Sequence, residues 1–128
     1  MPLPIQFKTM IFTAPKILLR LEGLAVLAAA TIGYWSNGYP WGKFLLLFFA
    51  PDLLMVGYLV GTRAGAAVYN VGHNYVAPFA LGLIAYFGHL TVLFPLALIW
   101  AAHIGFDRLL GYGLKYGTGF KDTHLGRV

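Results

Sequence analysis

The sequence predicts an all-α membrane protein, a bundle of four transmembrane helices followed by a Gly/Tyr-rich interfacial tail. Of its 128 residues, 59% are hydrophobic and only 10% are charged, whereas a soluble domain carries roughly a quarter charged residues. The hydrophobic residues also fall into four runs, each close to the ~20 residues that a helix needs to cross a bilayer. We therefore expect one integral membrane domain over residues 1–128.

The four runs follow one another with short polar interruptions between them. They cover residues 15–35, 41–60, 64–87 and 90–110, and the tail covers residues 111–128. Turn formers end the first run at Ser36-Asn37-Gly38-Tyr39-Pro40. Pro51, Pro78 and Pro95 lie inside the later runs. Because membrane helices tolerate internal proline, we expect kinks there and not breaks.

The distribution of basic residues predicts the orientation. With four crossings, eight of the nine lie on one side, namely Lys8, Lys16, Arg20, Arg63, Arg108, Lys115, Lys121 and Arg127. Only Lys43 lies opposite, so the positive-inside rule places both chain ends in the cytoplasm. Trp35, Tyr39 and Trp41 then form an aromatic belt at the outer interface. The first ten residues are too weakly apolar for a signal peptide, so we expect the first run to be retained.

Composition excludes several classes of function. There is no cysteine, so neither a disulfide nor a thiolate ligand or nucleophile is available. The net charge is +5, but the basic residues do not alternate with stacking aromatics along a stripe. We therefore expect membrane lipid as a partner and no nucleic acid.

Ionisable side chains inside the predicted helices are the main functional signal. They are Glu22, Asp52, His73, His103 and Asp107. Each costs at least about 2.5 to 3.5 kcal/mol near the bilayer centre and therefore normally marks a site. Counting inward from the cytoplasmic ends gives depths of roughly 5 to 14 Å, so all five are predicted to meet in the cytoplasmic half.

Helical spacing supports this meeting. His103 and Asp107 are four residues apart and share a face of the last helix. A polar stripe of Asn70, His73 and Asn74 interrupts the otherwise apolar third helix. On the first helix, a seam of small residues is predicted to turn the Glu22 carboxylate inward; its members are Glu22, Ala25, Ala29 and Gly33.

Three chemistries suit such a group. Two carboxylates and two imidazoles are ligands for a divalent ion of the zinc, manganese or iron kind. The same groups suit general acid/base catalysis or proton relay. The candidate catalytic or metal-binding residues are Asp52, His73, His103 and Asp107, and the candidate substrate contacts are Arg108, Lys115, Asn70, Asn74 and Tyr112. The alternative is that these are buried polar pairs that fix helix register.

Three stretches of the sequence resemble a known family. They are Ala50-Pro51-Asp52-Leu53, the run Tyr69 to Tyr75, and His103-Ile104-Gly105-Phe106-Asp107-Arg108 together with the Gly/Tyr-rich run and Phe120 to Gly126 that follow it. The chain is similar to a bacterial family of small membrane proteins of unknown function, numbered 4260 in the domain-of-unknown-function series. The resemblance implies a compact stand-alone domain in a bacterial cytoplasmic (inner) membrane. It implies no activity.

The leading hypothesis is a small membrane-embedded enzyme that acts on a lipid or other amphiphile at the cytoplasmic leaflet, with a divalent metal ion as the candidate cofactor. Two alternatives stay open. One is an accessory or assembly subunit of a larger membrane complex, and the other is a proton- or ion-coupled carrier that works as a homo-oligomer. The two halves show no convincing inverted repeat, which disfavours the carrier.

Overall fold

A computed structural model of the chain describes residues 15–127, and this part is all-α. Its elements are α1 (Pro15–Ser36), α2 (Trp41–Leu47), a 3₁₀ helix (Ala50–Leu59), α3 (Thr62–Gly72), α4 (Val76–Phe87), α5 (Leu93–Leu110) and the short α6 (His124–Arg127). Within these residues the only β-type pairing is an isolated bridge between Lys115 and Thr123. The predictions for Lys8 and for the first ten residues lie outside the described part.

Three helices of residues 15–127 are long and apolar enough to cross a membrane. They are Pro15–Ser36, Trp41–Leu59 and Leu93–Leu110, of which the second combines α2 with the 3₁₀ helix. The fourth apolar helix, α4, has 12 residues and is therefore only about 18 Å long. Membrane character agrees with the prediction, but the count of four spanning helices is not confirmed.

The predicted third helix is two helices. Between α3 and α4 the chain leaves helical geometry at His73, and the Asn74 side chain satisfies backbone groups on both sides of this break. Its Nδ2 donates to the carbonyl of Asn70 at 2.6 Å, and its Oδ1 accepts the N–H of Ala77 at 3.1 Å. The indole N–H of Trp100 donates to the carbonyl of Gly72 at 2.6 Å. The break is therefore a hydrogen-bonded turn within the bundle.

The prolines do not kink helices as predicted. Pro51 lies in the first turn of the 3₁₀ helix, and Pro78 and Pro95 are each the third residue of α4 and α5. Proline lacks an N–H, and the first-turn N–H groups of a helix have no partner within the helix. These prolines therefore mark where helices begin.

Helices α1 and α5 pack with their backbones in contact. A Cβ built on Gly105 would lie 2.6 Å from the Gly23 oxygen and 2.7 Å from the Leu27 nitrogen. The buried residues of α1 are Gly23, Ala30 and Tyr34. The predicted seam is therefore wrong: Glu22, Ala25 and Ala29 are exposed. The helix is rotated so that Gly23 faces Gly105, because only a pair of glycines permits this approach.

The two ends of the bundle differ in character. At the tail end, Arg20 Nε donates to the Leu109 carbonyl at 2.8 Å, and the rings of Tyr58 and Phe120 lie 5.1 Å apart. The start of α1, the end of α5, the end of the 3₁₀ helix and the tail therefore lie together. At the opposite end, the Tyr34 ring contacts those of Tyr39 and Trp41, each at 5.3 Å.

Candidate metal centre

Four ionisable side chains converge near the tail end of the bundle, and we refer to them as the Asp/His group. Asp52 comes from the 3₁₀ helix, His73 from the break after α3, and His103 and Asp107 from successive turns of α5. One ligand atom from each lies within 4.8 Å of the others. These are the four residues that the sequence predicts as the reactive or metal-binding core.

The separations within the Asp/His group match those of metal ligands. His73 Nε2 lies 3.0 Å from Asp52 Oδ1 and 3.3 Å from His103 Nε2. His103 Nε2 lies 3.2 Å from Asp52 Oδ1 and 3.3 Å from Asp107 Oδ2, and His73 Nε2 lies 3.7 Å from Asp107 Oδ2. Ligands about 2.0–2.2 Å from a tetrahedral ion stand about 3.3–3.6 Å apart. One ion at the centre therefore suits the group.

The His73 ring is oriented by its own helix. Nδ1 lies 2.7 Å from the Tyr69 carbonyl oxygen, and the ring stacks on that of Tyr69 with centroids 3.7 Å apart. A carbonyl can only accept, so the hydrogen-bond pattern assigns the proton to Nδ1. The neutral ring then presents the Nε2 lone pair to the Asp/His group. This is the usual arrangement of a metal-bound histidine.

The His103 ring is held by apolar contacts. The ring is fully buried and packs against Phe48 at 5.3 Å and Phe49 at 6.3 Å. Its Nδ1 is buried and has no hydrogen-bond partner in the described part of the chain, whereas Nε2 points into the Asp/His group. The chemistry available to His103 is therefore on the side of the other three residues.

Charge also favours a cation. Two carboxylates and two neutral imidazoles carry a net charge of −2, which is costly to bury. One divalent ion brings the sum to zero and satisfies all four facing atoms. Imidazole and carboxylate ligands suit zinc, manganese and iron.

A cavity of about 280 Å³ opens on the carboxylate side of the group, and we refer to it as the carboxylate cavity. Its lining residues are Asp52, Met55, Tyr69, Asp107, Tyr112, Lys115 and Phe120. The Asp52 side chain is 30% exposed and that of Asp107 is 12% exposed, whereas both histidines are fully buried. An ion held by these four residues would be reached from the carboxylate side, where it could take a fifth ligand, as catalytic zinc sometimes does.

Lys115 and Tyr112, two of the predicted substrate contacts, line this cavity. Lys115 Nζ lies 3.7 Å from the centroid of the Phe120 ring and 4.8 Å from that of Tyr69. Burial lowers the pKa of Lys115, and the charges of Asp107 and Asp52 act in the opposite direction.

The other three predicted substrate contacts bind backbone. Arg108 donates from Nη2 to the His73 carbonyl at 2.8 Å and from Nη1 to the Tyr112 carbonyl at 3.1 Å. Asn70 bonds to Lys115 twice, and Asn74 holds the helix break. Their role toward a substrate stays a prediction, whereas their present contacts organise the site.

Glu22 does not join the Asp/His group, contrary to the predicted meeting of five residues. It is exposed on α1 because Gly23 occupies the contact with α5. Met55 and Phe120 are lining residues that the sequence did not predict. Met55 follows Asp52 by one turn, a spacing that could have indicated it. Nothing in the tail sequence predicts that Phe120 folds back onto the site.

Helices of spanning length around a buried, polar Asp/His group define a helical protein of membrane character. The chain belongs to the family called domain of unknown function 4260 (DUF4260), whose model matches residues 16–128. The resemblance inferred from the sequence is thereby confirmed. No curated protein and no solved structure matches the chain.

Proposed function

We propose that this protein is a metal-dependent membrane enzyme. In this proposal the Asp/His group binds one divalent ion, which serves a reaction on a lipid or other amphiphile. The observation that carries the proposal is the set of separations of 3.0–3.7 Å among ligand atoms from three different elements.

The number of hydrogen-bond donors in the Asp/His group favours a bound ion over a polar contact that only fixes the helix register. Nδ1 of His73 donates its proton to Tyr69, so the only N–H that the neutral imidazoles can direct into the group is that of His103. Three acceptors face this one donor, namely the carboxylates of Asp52 and Asp107 and the Nε2 lone pair of His73. Polar contacts that hold membrane helices together pair donors with acceptors. Here acceptors predominate, which is the requirement for holding a cation.

The carboxylate cavity supports a catalytic role. A bound ion lowers the pKa of a coordinated water and polarises a substrate oxygen. The open side faces a cavity bordered by the tail, where a lipid headgroup can approach from the membrane surface. A purely structural ion would be enclosed on all sides.

Four crossings remain part of the proposal. The start of α1, the turn near Arg63 and the tail share one end of the bundle, which supports an even number of crossings. Helices α3 and α4 together supply the third crossing. By the positive-inside rule this end is cytoplasmic, in a bacterial inner membrane.

Metal content tests the binding site. The detergent-purified protein, incubated with zinc, manganese and iron salts and then desalted, is expected to retain about one divalent ion per chain by elemental analysis. His103→Asn removes a ligand and should abolish retention. His89→Asn is the matched control, because His89 is exposed, lies far from the site and has a left-handed φ of 54° that asparagine tolerates. Wild-type protein without retained ion would overturn the proposal.

Activity tests the reaction. The metal-loaded protein is incubated with an extract of bacterial membrane lipids, and the products are compared by mass spectrometry with those from the metal-stripped and His103→Asn proteins. We expect a lipid species to be consumed only by the loaded wild type and the His89→Asn control. If the metal-stripped protein still consumes a lipid, the metal-dependent mechanism is wrong. If the loaded wild type consumes no lipid, the proposed enzyme activity is wrong.

A further inference from the structure

Lys115 is brought to the carboxylate cavity by its backbone. Its N–H donates to Asn70 Oδ1 at 2.7 Å, and its carbonyl accepts from Asn70 Nδ2 at 2.8 Å. An isolated β-bridge between Lys115 and Thr123 holds the Lys115 backbone to a second segment of the tail. The residue is only 7% exposed although it lies in the tail. The position of this ammonium is therefore built by three segments of the chain.

The Lys115 ammonium has aromatic neighbours and, within the described residues, no ion pair. Among residues 15–127, the ion pairs within 4.0 Å do not include Lys115. Nζ instead lies over Phe120, with Tyr69 on another side. Aromatic faces hold a cation in place without neutralising it.

A bound ion would leave this charge uncompensated. Among residues 15–127, the only acidic groups that line the cavity are its two carboxylates, and a divalent ion neutralises both. The cavity lining then carries a net charge of +1 from Lys115. Arg108 adds a second positive charge behind His73, where its guanidinium binds two carbonyls. A buried excess of positive charge requires an anion.

We infer that the metal ion and Lys115 form a two-point site for an anionic phosphate or carboxylate group. The inference rests on the proposed function and gives its substrate class, namely amphiphiles with a small anionic headgroup. One oxygen of the anion binds the ion from the cavity side as a fifth ligand, and another accepts a hydrogen bond from Lys115 Nζ.

The size of the cavity agrees with this class. Its volume of about 280 Å³ is at the lower limit of pockets that enclose a drug-sized ligand, about 300–1,000 Å³. A phosphate with part of its ester fits, and a complete acyl chain does not. The acyl chains therefore stay in the bilayer.

Cobalt provides a spectroscopic test, because Co²⁺ occupies zinc-type sites and its visible absorption reports the coordinated groups. The Co²⁺-loaded protein is titrated with inorganic phosphate, with short-chain phosphatidic acid and with uncharged short-chain diacylglycerol. We expect both phosphates to change the spectrum and diacylglycerol to leave it unchanged. Tighter binding of phosphatidic acid indicates a lipid source, whereas equal affinities indicate free phosphate.

Lys115→Met tests the second point of the site. It should leave the anion-free cobalt spectrum unchanged and weaken phosphate binding at least tenfold. Lys121→Met is the matched control, since Lys121 is an exposed lysine of the same tail. A cobalt protein that ignores both phosphates, or a Lys115→Met variant that binds them normally, overturns the inference alone. Failure to bind cobalt overturns the metal site and this inference with it.

Discussion

Arg108 connects the Asp/His group to the tail. Its guanidinium donates to the carbonyls of His73 and Tyr112, so it holds His73, a candidate metal ligand, in place through its backbone. Groups that support metal ligands from outside the coordination sphere commonly change affinity 10–100-fold when removed. We therefore interpret Arg108 as a positioning residue.

Arg108→Met is expected to weaken metal binding about 10–100-fold, measured by competition with a chelator of known affinity. Arg108→Lys should recover part of the loss, because lysine can still donate to one carbonyl. Arg127→Met is the control, since Arg127 pairs with Asp122 at the surface. Equal affinity in Arg108→Met and wild type would assign no positioning role to this guanidinium.

Gly105 is a sterically sensitive position in the contact between α1 and α5. A Cβ here would meet backbone atoms of Gly23 and Leu27, which cannot rotate away. Gly105→Ala is expected to destabilise the fold by about 1–3 kcal/mol, the typical cost of overpacking. Thermal unfolding in detergent measures this.

Gly82→Ala is the control for Gly105→Ala, because a Cβ on this residue of α4 meets nothing within 4 Å. It should leave the melting temperature unchanged or raise it slightly, since alanine is the better helix former. If both variants melt like wild type, the close contact between α1 and α5 is not as described.

At the level of single residues, the sequence predicted the four members of the Asp/His group. Their convergence could be predicted because a charge inside an apolar run is conspicuous and helix length converts position into depth, whereas their catalytic or metal-binding role stays a prediction. Glu22 satisfied the same criteria and is nevertheless exposed. The rotation of α1 depends on the match between Gly23 and Gly105, which are far apart in the chain, and helical periodicity cannot reveal such a match.

The tail is docked on α3 by a paired contact. Asn70 accepts from the N–H and donates to the carbonyl of Lys115, in the manner of a neighbouring strand. Asn70→Ala should destabilise tail docking by about 1–3 kcal/mol, because two partly buried backbone groups lose their partners. Hydrogen exchange at the Lys115 amide should become faster. Asn37→Ala, at the end of the bundle opposite the tail, is the control and should leave the exchange rate of the Lys115 amide unchanged.

His124 makes tail docking sensitive to pH. Burial lowers the pKa of His124 below its ordinary 6.5, and the charge of Arg108 acts in the same direction. The Leu114 N–H donates to Nδ1 at 2.7 Å, which requires an unprotonated nitrogen. The docked state therefore favours the neutral ring. Its stabilisation is complete above pH 6.5 and is lost as the pH falls through the lowered pKa.

We expect metal-free wild-type protein to lose thermal stability between pH 8 and pH 5 by more than the His124→Gln variant does. Glutamine can accept the same hydrogen bond and does not titrate. Metal-free protein is used so that release of a bound ion at low pH does not contribute, and titration of the other groups is common to both proteins. Identical pH profiles for the two proteins would show that His124 does not cause the pH dependence of tail docking.

At the level of elements, α1 and α5 lie close to their predicted bounds because they are long and uniformly apolar. The second and third predicted helices are each divided. Pro51 begins a 3₁₀ helix, and the break at His73 is held by Asn74 and by Trp100 from α5. The proline was visible in the sequence. The hydrogen bond from Trp100 depends on tertiary packing and was not.

The number of crossings is a property of the whole molecule. Because the chain has no cysteine, a single introduced cysteine is a unique label for a membrane-impermeant maleimide applied to intact cells. With four crossings, Lys43→Cys should react, and Arg63→Cys and Lys121→Cys should not. With three, the tail lies outside, and Lys121→Cys reacts while Arg63→Cys still does not. Labelling of Lys121→Cys would therefore overturn the four-crossing topology.

The four residues of the Asp/His group are synthesised at different times. Asp52 and His73 leave the ribosome first, and His103 and Asp107 follow only when α5 is made. Two ligands bind an ion weakly, so under the proposed metal site stable capture would wait until the last helix has entered the membrane and packed against α1. Metal acquisition would then report that biogenesis is complete, and a chain cut short before α5 would carry no ion.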